Sequence, residues 1–212
     1  MLTQLRHRTH KSDGFTIVEL LVVMVLFGVV GTITVTAVVS SMQASSSAEN
    51  RMRALNDLQG GIERVGRELR AAQTLTPHID DDPAYGMSST VVRDGSRWRY
   101  DYYLDNAEDG SVALFEDLSR FESDGSLVEQ REGTFITDIA NIDLDEPLFE
   151  YFHRGASGEL EPVDCDNQPN RCATAQQVRL TLWKNIWDQD PISVETVVNV
   201  RNTRYDLGDD GE

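Results

Sequence analysis

Between Gly14 and Ala48 the chain carries a single charged residue, Glu19. The stretch from Phe15 to Val39 is apolar and longer than the roughly 20 residues needed to cross a bilayer core. Lipid offers backbone amides no partners, so a segment of this kind is driven to close its hydrogen bonds internally, as a helix. A carboxylate within it is costly, about 2.5–3.5 kcal/mol on insertion scales. Glu19 therefore needs a reason to be there. Arg6, Arg8 and Lys11 precede the segment, and no basic residue follows it until Arg51. That asymmetry predicts a cytoplasmic N-terminus and a bulk of the chain outside, a single-pass plasma-membrane arrangement.

Three readings compete for the segment. A cleavable secretory signal has an apolar core of only about 7–15 residues and no buried acid. This run is longer, although Val35-Thr36-Ala37 has the small residues of a weak cleavage site. A plain membrane anchor explains the length but neither Glu19 nor the glycine before Phe15. The stretch GFTIVELLVVMVLFGVV, residues 14–30, closely resembles the N-terminal signal of type IV prepilins and pseudopilins. In that family a basic leader ends in glycine, a prepilin peptidase cuts after it and methylates the new N-terminus, and the fifth mature residue is glutamate. The resemblance covers about the first quarter of the chain. It implies cleavage between Gly14 and Phe15, N-methylation of Phe15 and an assembly role for Glu19. The implied partners are the prepilin peptidase, other pilin or pseudopilin subunits, an inner-membrane assembly platform and membrane lipid. The implied destination is a cell-surface filament.

Physical chemistry gives Glu19 a task within this reading. Cleavage leaves an ammonium on Phe15 at a helix N-terminus, where the macrodipole already disfavours a cation. In an apolar filament core that amine needs a counter-charge, which a neighbouring subunit's Glu19 supplies, driving docking and setting the axial register. The alternative is a glutamate that is simply protonated in lipid.

From Ser41 onward the chain holds 16 Lys and Arg against 34 Asp and Glu, a net of −18. Such a surface repels phosphate backbones and anionic headgroups, so direct binding of nucleic acid is not expected. Met52, Leu55, Leu58, Ile62, Val65, Leu69 and Ala72 recur at spacings of three and four, with Arg51, Arg53, Glu63, Arg64, Arg67, Glu68 and Arg70 on the other faces. This stripe predicts a helix continuing from the apolar run to about Gln73, some 90 Å at 1.5 Å per residue. Thr76-Pro77 is expected to close it. Gly28, Gly31, Gly60, Gly61 and Gly66 are candidate points of bending.

Beyond Pro77 the pattern becomes that of strands. SRWRYDYYLD alternates, with Trp98, Tyr100 and Tyr102 on one face. SVALFEDL, DGSLVEQ, TFITDIANIDL, PLFEYFHR, QQVRLTLWKN and ISVETVVNVRN are further strand candidates. Asp94-Gly95 and Asp124-Gly125 are hairpin turns. The expectation is an α+β fold, with a long N-terminal helix packed on an antiparallel sheet head, pilin-like. It divides as a leader (1–14), the membrane-spanning half of the helix (15–40), its amphipathic half (41–75), a β-rich head (76–205) and an acidic tail (206–212). The order of these blocks resembles the larger minor pilins and J-type pseudopilins.

Cys165 and Cys172 flank a loop rich in turn formers. Outside the cytoplasm a bridge between them is expected, contributing about 2–3 kcal/mol. Two thiols without nearby histidines lack the four ligands of structural zinc, and neither Asp164 and Asp166 nor the Asp80–Asp82 run has the spacing of a calcium loop. No metal or cofactor is expected. No nucleophile elbow, phosphate-cradling loop or zinc-protease motif occurs, and His7 and His10 lie in the leader while His78 and His153 are scattered. An enzyme is therefore not expected. Two functions remain: a minor pilin or pseudopilin subunit, with a tip or initiation role, and a membrane-anchored extracytoplasmic binding module. The Gly14-Phe15-Glu19 signal separates them, since an independent anchor has no need of it.

Overall fold

The computed structural model describes residues 15–77, 82–155, 157–165, 167–187 and 189–200. The Asp80–Asp81 pair, His78, Asp166, the leader with Gly14, and the acidic tail lie outside them. The chain divides into two units, Met1–Glu49 and Asn50–Glu212.

The first unit is the N-terminal part of α1 (Ile17–Ala71), a helix long and apolar enough to cross a membrane. Its side chains from Phe15 to Ser46 are all exposed, as lipid or protein neighbours would require. The threonines within it do not leave hydroxyls unsatisfied. Thr32, Thr34 and Thr36 donate to the carbonyls of Gly28, Val30 and Thr32 at 2.8, 2.9 and 2.9 Å. Back-bonding of this kind lets a polar residue enter an apolar environment without an orphan donor. The helix runs unbroken through Gly28 and Gly31.

The second unit begins with the amphipathic part of α1. Leu58, Val65 and Leu69 are fully buried, with Ala54, Ile62 and Ala72 beside them. Two side chains depart from the stripe read in the sequence. Met52 is 60% exposed, because Ala54 rather than Met52 begins the buried face. Glu68, expected outside, is buried, since Arg93 donates to its carboxylate at 2.7 Å.

The helix also ends earlier than Thr76-Pro77 suggested. The Gln73 amide bonds the Thr90 carbonyl at 2.8 Å, which draws the chain into a sheet. Thr76 and Pro77 instead lie in β1 (Thr74–Pro77). A proline is tolerated there because it ends an edge strand, where a missing donor costs little.

β1 is followed by β2 (Gly86–Arg93), β3 (Ser96–Asn106), β4 (Val112–Phe121) and β5 (Leu127–Ile136), an antiparallel sheet in sequence order. The Asp94-Gly95 turn has φ of 51° and 78°, so both residues occupy the left-handed region that a two-residue hairpin needs. β6 (Phe149–Arg154), β7 (Leu160–Val163), α2 (Pro169–Ala173), β8 (Gln177–Ile186) and β9 (Gln189–Asn199) are the remaining elements among the described residues. Their strands form a second antiparallel sheet, ordered β7-β6-β8-β9. The head thus holds two sheets. The α1 stripe, Tyr102 and Leu114 of the first sheet, and Val178, Leu180 and Leu182 of the second belong to one buried cluster.

One strand candidate divides. Of TFITDIANIDL, only Thr134–Ile136 lies in β5; the remainder is a loop containing the single bridge Ile139–Lys184. Asn141 explains the loop. It is fully buried. Its Nδ2 donates to the carbonyls of Glu146 and Thr181 at 3.2 and 2.8 Å, and its Oδ1 accepts the Trp183 amide at 2.8 Å. Asp138 and Asp145 take φ of 61° and 55° at its two ends.

Two neighbouring glycines of α1 differ in kind. A methyl on Gly61 would collide with the end of the Ile136 side chain, whereas one on Gly60 would meet nothing within 4 Å. Gly60→Ala should therefore raise stability by up to about 1 kcal/mol through helix propensity. Gly61→Ala should lower it by about 1–3 kcal/mol through overpacking. Thermal melts of the two variants check this; melting temperatures shifted in the same direction would contradict it.

Candidate functional site: the N-terminal segment and the head

The helix start is built by Thr16 and Glu19. The Thr16 hydroxyl accepts the Glu19 amide at 3.2 Å, and its carbonyl accepts the Leu20 amide at 3.1 Å. Thr16 is thus the N-cap and Glu19 stands at the third helical position. Thr-x-x-Glu is the pattern of a capping box, in which the threonine side chain satisfies one of the open amides of the first turn. The acid also sits where the positive end of the macrodipole favours it. The spacing is legible in the sequence: a threonine three residues before an acid, opening an apolar run. Phe15 precedes the cap and is 76% exposed, and Glu19 is exposed as well. Gly14 lies outside the described residues.

A motif model matches residues 9–40, and its description is the prokaryotic N-terminal methylation motif. The chain carries a type IV prepilin-like signal. The match spans Lys11 and Asp13, the Gly14-Phe15 pair, the capped first turn and the apolar part of the helix. This signal and the apolar helix together make the protein membrane-anchored through its N-terminal segment. Proteins bearing such a motif are structural rather than catalytic. No curated protein and no solved structure matches the chain.

In the head, two acid–arginine pairs lie between α1 and the first sheet. Arg64 pairs with Glu116 and stacks 4.9 Å over the Phe135 ring. The Tyr102 hydroxyl also donates to Glu116, at 3.0 Å. One helical turn on, Glu68 receives Arg93. Burial is the main reason why the Tyr102 phenol titrates far above its ordinary range, with the Glu116 charge adding to it. Tyr103, on the other face, is pushed up to about 12 by burial and by Asp117. Tyr151 is raised by burial alone. Glu68, Glu116 and Tyr102 are partnered structurally at the helix–sheet joint, and Tyr103 is partnered by Asp117, rather than arranged as a proton-transfer pair in a cleft, while the buried Tyr151 hydroxyl has no hydrogen-bond partner among the described residues.

Cys165 and Cys172 are bonded, with the sulfurs 2.08 Å apart. The bridge holds α2 against the turn that follows β7. Within that turn the Gln168 amide bonds the Asp164 carbonyl at 2.9 Å. Asn167 donates its side-chain amide to the Asp164 carboxylate at 2.6 Å. Asp164 is therefore committed to the turn. Asp82 is likewise used locally, accepting the Ala84 amide at 2.9 Å. His153 sits on β6 with Nδ1 3.0 Å from the Arg154 carbonyl. Among the described residues, no three His, Cys, Asp or Glu side chains gather to hold a metal ion.

Proposed function

We propose that this protein is a minor pilin or pseudopilin subunit, processed by a prepilin peptidase and assembled into a type IV pilus-like or secretion filament, with a role at the tip or in initiation. The observation that carries the reading is the coincidence of the methylation motif at residues 9–40 with a capped helix starting at Ile17. Cleavage after Gly14 would place the new amine one residue before the Thr16 cap. The charge asymmetry of the leader supports an inside N-terminus and a head outside the cytoplasm. The disulfide fits that compartment. In this reading the apolar helix first lies in lipid, with the assembly platform and other subunits as its next partners. The order of the strand blocks favours a larger minor subunit over a major one.

Intact mass of the protein from cells with and without a prepilin peptidase tests the proposal. The expected mature form has lost residues 1–14 and gained one methyl group on Phe15. A form beginning at Met1 in both strains identifies a plain anchor carrying a binding module. A form beginning at Val38 identifies a secretory signal. Either result overturns the filament reading.

A further inference from the structure

We infer that the end of the head at which α1 enters, marked by Trp187 and Met52, docks on the lipid surface of the bilayer that anchors the chain. The inference rests on the anchorage alone and not on the filament reading.

The first observation is an exposed indole. Trp187 is 88% exposed, more than any other large apolar side chain among the described residues of the head. It stands at the turn between β8 and β9. Such turns favour glycine, asparagine and aspartate, so the turn itself gives no reason for a tryptophan. The residue before it, Ile186, is buried and pairs with Gln189 across the hairpin. The tip is therefore held in place while the indole faces outward.

The second is where that tip lies. Gly66 of α1 lies against Val198, whose partner on β8 is Val178. Gly61 lies against Leu182, and Lys184 donates to Asp57 at 3.1 Å. β8 therefore runs toward the start of the head's helix. Asn185, Ile186 and Trp187 add about 10 Å of strand, which brings Trp187 roughly level with Asn50. The head begins at Asn50. Met52 is at the same end and is 60% exposed, second only to Trp187 in the head. The two most exposed large apolar side chains of the head thus share one end.

Two arguments select lipid as the occupant. Only Ser41–Glu49 separate the head in sequence from the membrane-spanning half of the helix. So short a tether keeps this end of the head at high effective concentration beside the bilayer surface. Indole, moreover, has an apolar body and a single N–H donor. It concentrates at the headgroup level, where the ring is covered and the N–H stays hydrated. The contact needs no charge, so the acidity of the head does not oppose it on a zwitterionic surface.

The test uses the full chain in phosphatidylcholine vesicles whose upper acyl chains carry bromine, a contact quencher of indole fluorescence. Trp98 and Trp183 are partly buried, so the spectrum of wild type minus that of Trp187→Phe isolates the Trp187 emission. That emission should fall by about half or more in brominated relative to plain lipid, and should not change when the protein is diluted about tenfold in lipid. Met52→Trp in the Trp187→Phe background should be quenched as well. Leu127→Trp in that background is the control. Leu127 is also exposed, but β5 meets Gly61 through Ile136 at its other end, about 30 Å away, so this indole should escape quenching. Trp187→Phe should leave the melting temperature unchanged, since so exposed a side chain adds little to packing. Three results overturn the inference. One is a Trp187 emission indifferent to bromine. Another is equal quenching of Leu127→Trp, which describes a head lying on lipid with no preferred end. The third is a Trp187 shielded from acrylamide only at high protein-to-lipid ratio, which makes another copy the occupant. None of these bears on cleavage after Gly14, so the filament reading is decided separately.

Discussion

Glu19→Gln should leave cleavage after Gly14 and membrane insertion intact, while filament-incorporated protein falls by about tenfold or more. The argument rests on separating the two things Glu19 can do. As the third residue of the helix it belongs to the Thr16 cap, and the Thr16 hydroxyl holds its backbone amide rather than its side chain. Glutamine serves a capping box as well as glutamate does, so the substitution keeps the helix start. It removes only the charge. Insertion improves if anything, since an amide is cheaper in lipid than a carboxylate. In the proposed assembly the incoming Phe15 amine then meets no counter-charge in an apolar core, and an unpaired buried ion costs several kcal/mol. Each 1.4 kcal/mol is tenfold in an equilibrium, so a tenfold loss is the modest end of the expectation. Thr16→Val is the complementary variant. It loses the cap, worth about 1 kcal/mol, but keeps the charge, so it should assemble better than Glu19→Gln. The measurement is the fraction of each variant in sheared filaments relative to total membrane protein. Equal recovery of wild type and Glu19→Gln would exclude charge pairing and leave Glu19 a local helix-start residue.

Asn141→Ala should destabilise the head by about 3–4 kcal/mol, more than any exposed charge variant. The side chain is fully buried and makes three hydrogen bonds, two donated and one accepted. Truncation leaves the Trp183 amide and the Thr181 and Glu146 carbonyls short of a partner, at about 1–3 kcal/mol for each buried group, partly relieved by relaxation. Asn141→Asp sharpens the test. It retains an oxygen for the Trp183 amide but turns the other toward two carbonyls, so the carboxylate form is disfavoured on both counts. Its folded-state pKa is then raised above the unfolded value. Stability should accordingly be greater below the unfolded pKa, near 4, and be lost as pH rises through the folded one. Denaturant titration of both variants at about pH 4 and about pH 7 reads this out. An Asn141→Asp head as stable as wild type at neutral pH would refute the assigned bonding.

The features legible in the sequence are those set by local chemistry. An uncharged run of this length can hardly be anything but a helix in an apolar setting, and its borders follow from charge. The prepilin-like signal within residues 9–40 is readable because such a signal is a linear string. Asp94-Gly95 is readable because a two-residue turn asks for positive φ at both positions. The alternation through Trp98, Tyr100 and Tyr102 survives because it reflects the pleat of one strand, and Tyr100 and Tyr102 are indeed buried on a single face.

What only the tertiary structure decided depends on partners far away in the chain. Glu68 is buried because Arg93 reaches it across the helix–sheet joint, a contact over 25 positions. The stretch after Ile136 is a loop because Asn141 finds backbone partners on β8, some 40 positions on. Short apolar runs announce strands but not which sheet they join, so the division into β1–β5 and β6–β9 is invisible until the register pairs are formed. Helix propensity cannot tell Gly60 from Gly61 either: the collision with Ile136 exists only once β5 lies against α1. Local pattern thus determined which segments enter lipid, turn or alternate. Non-local packing and hydrogen bonding decided which polar groups could be buried, because each needs a partner that sequence distance does not reveal.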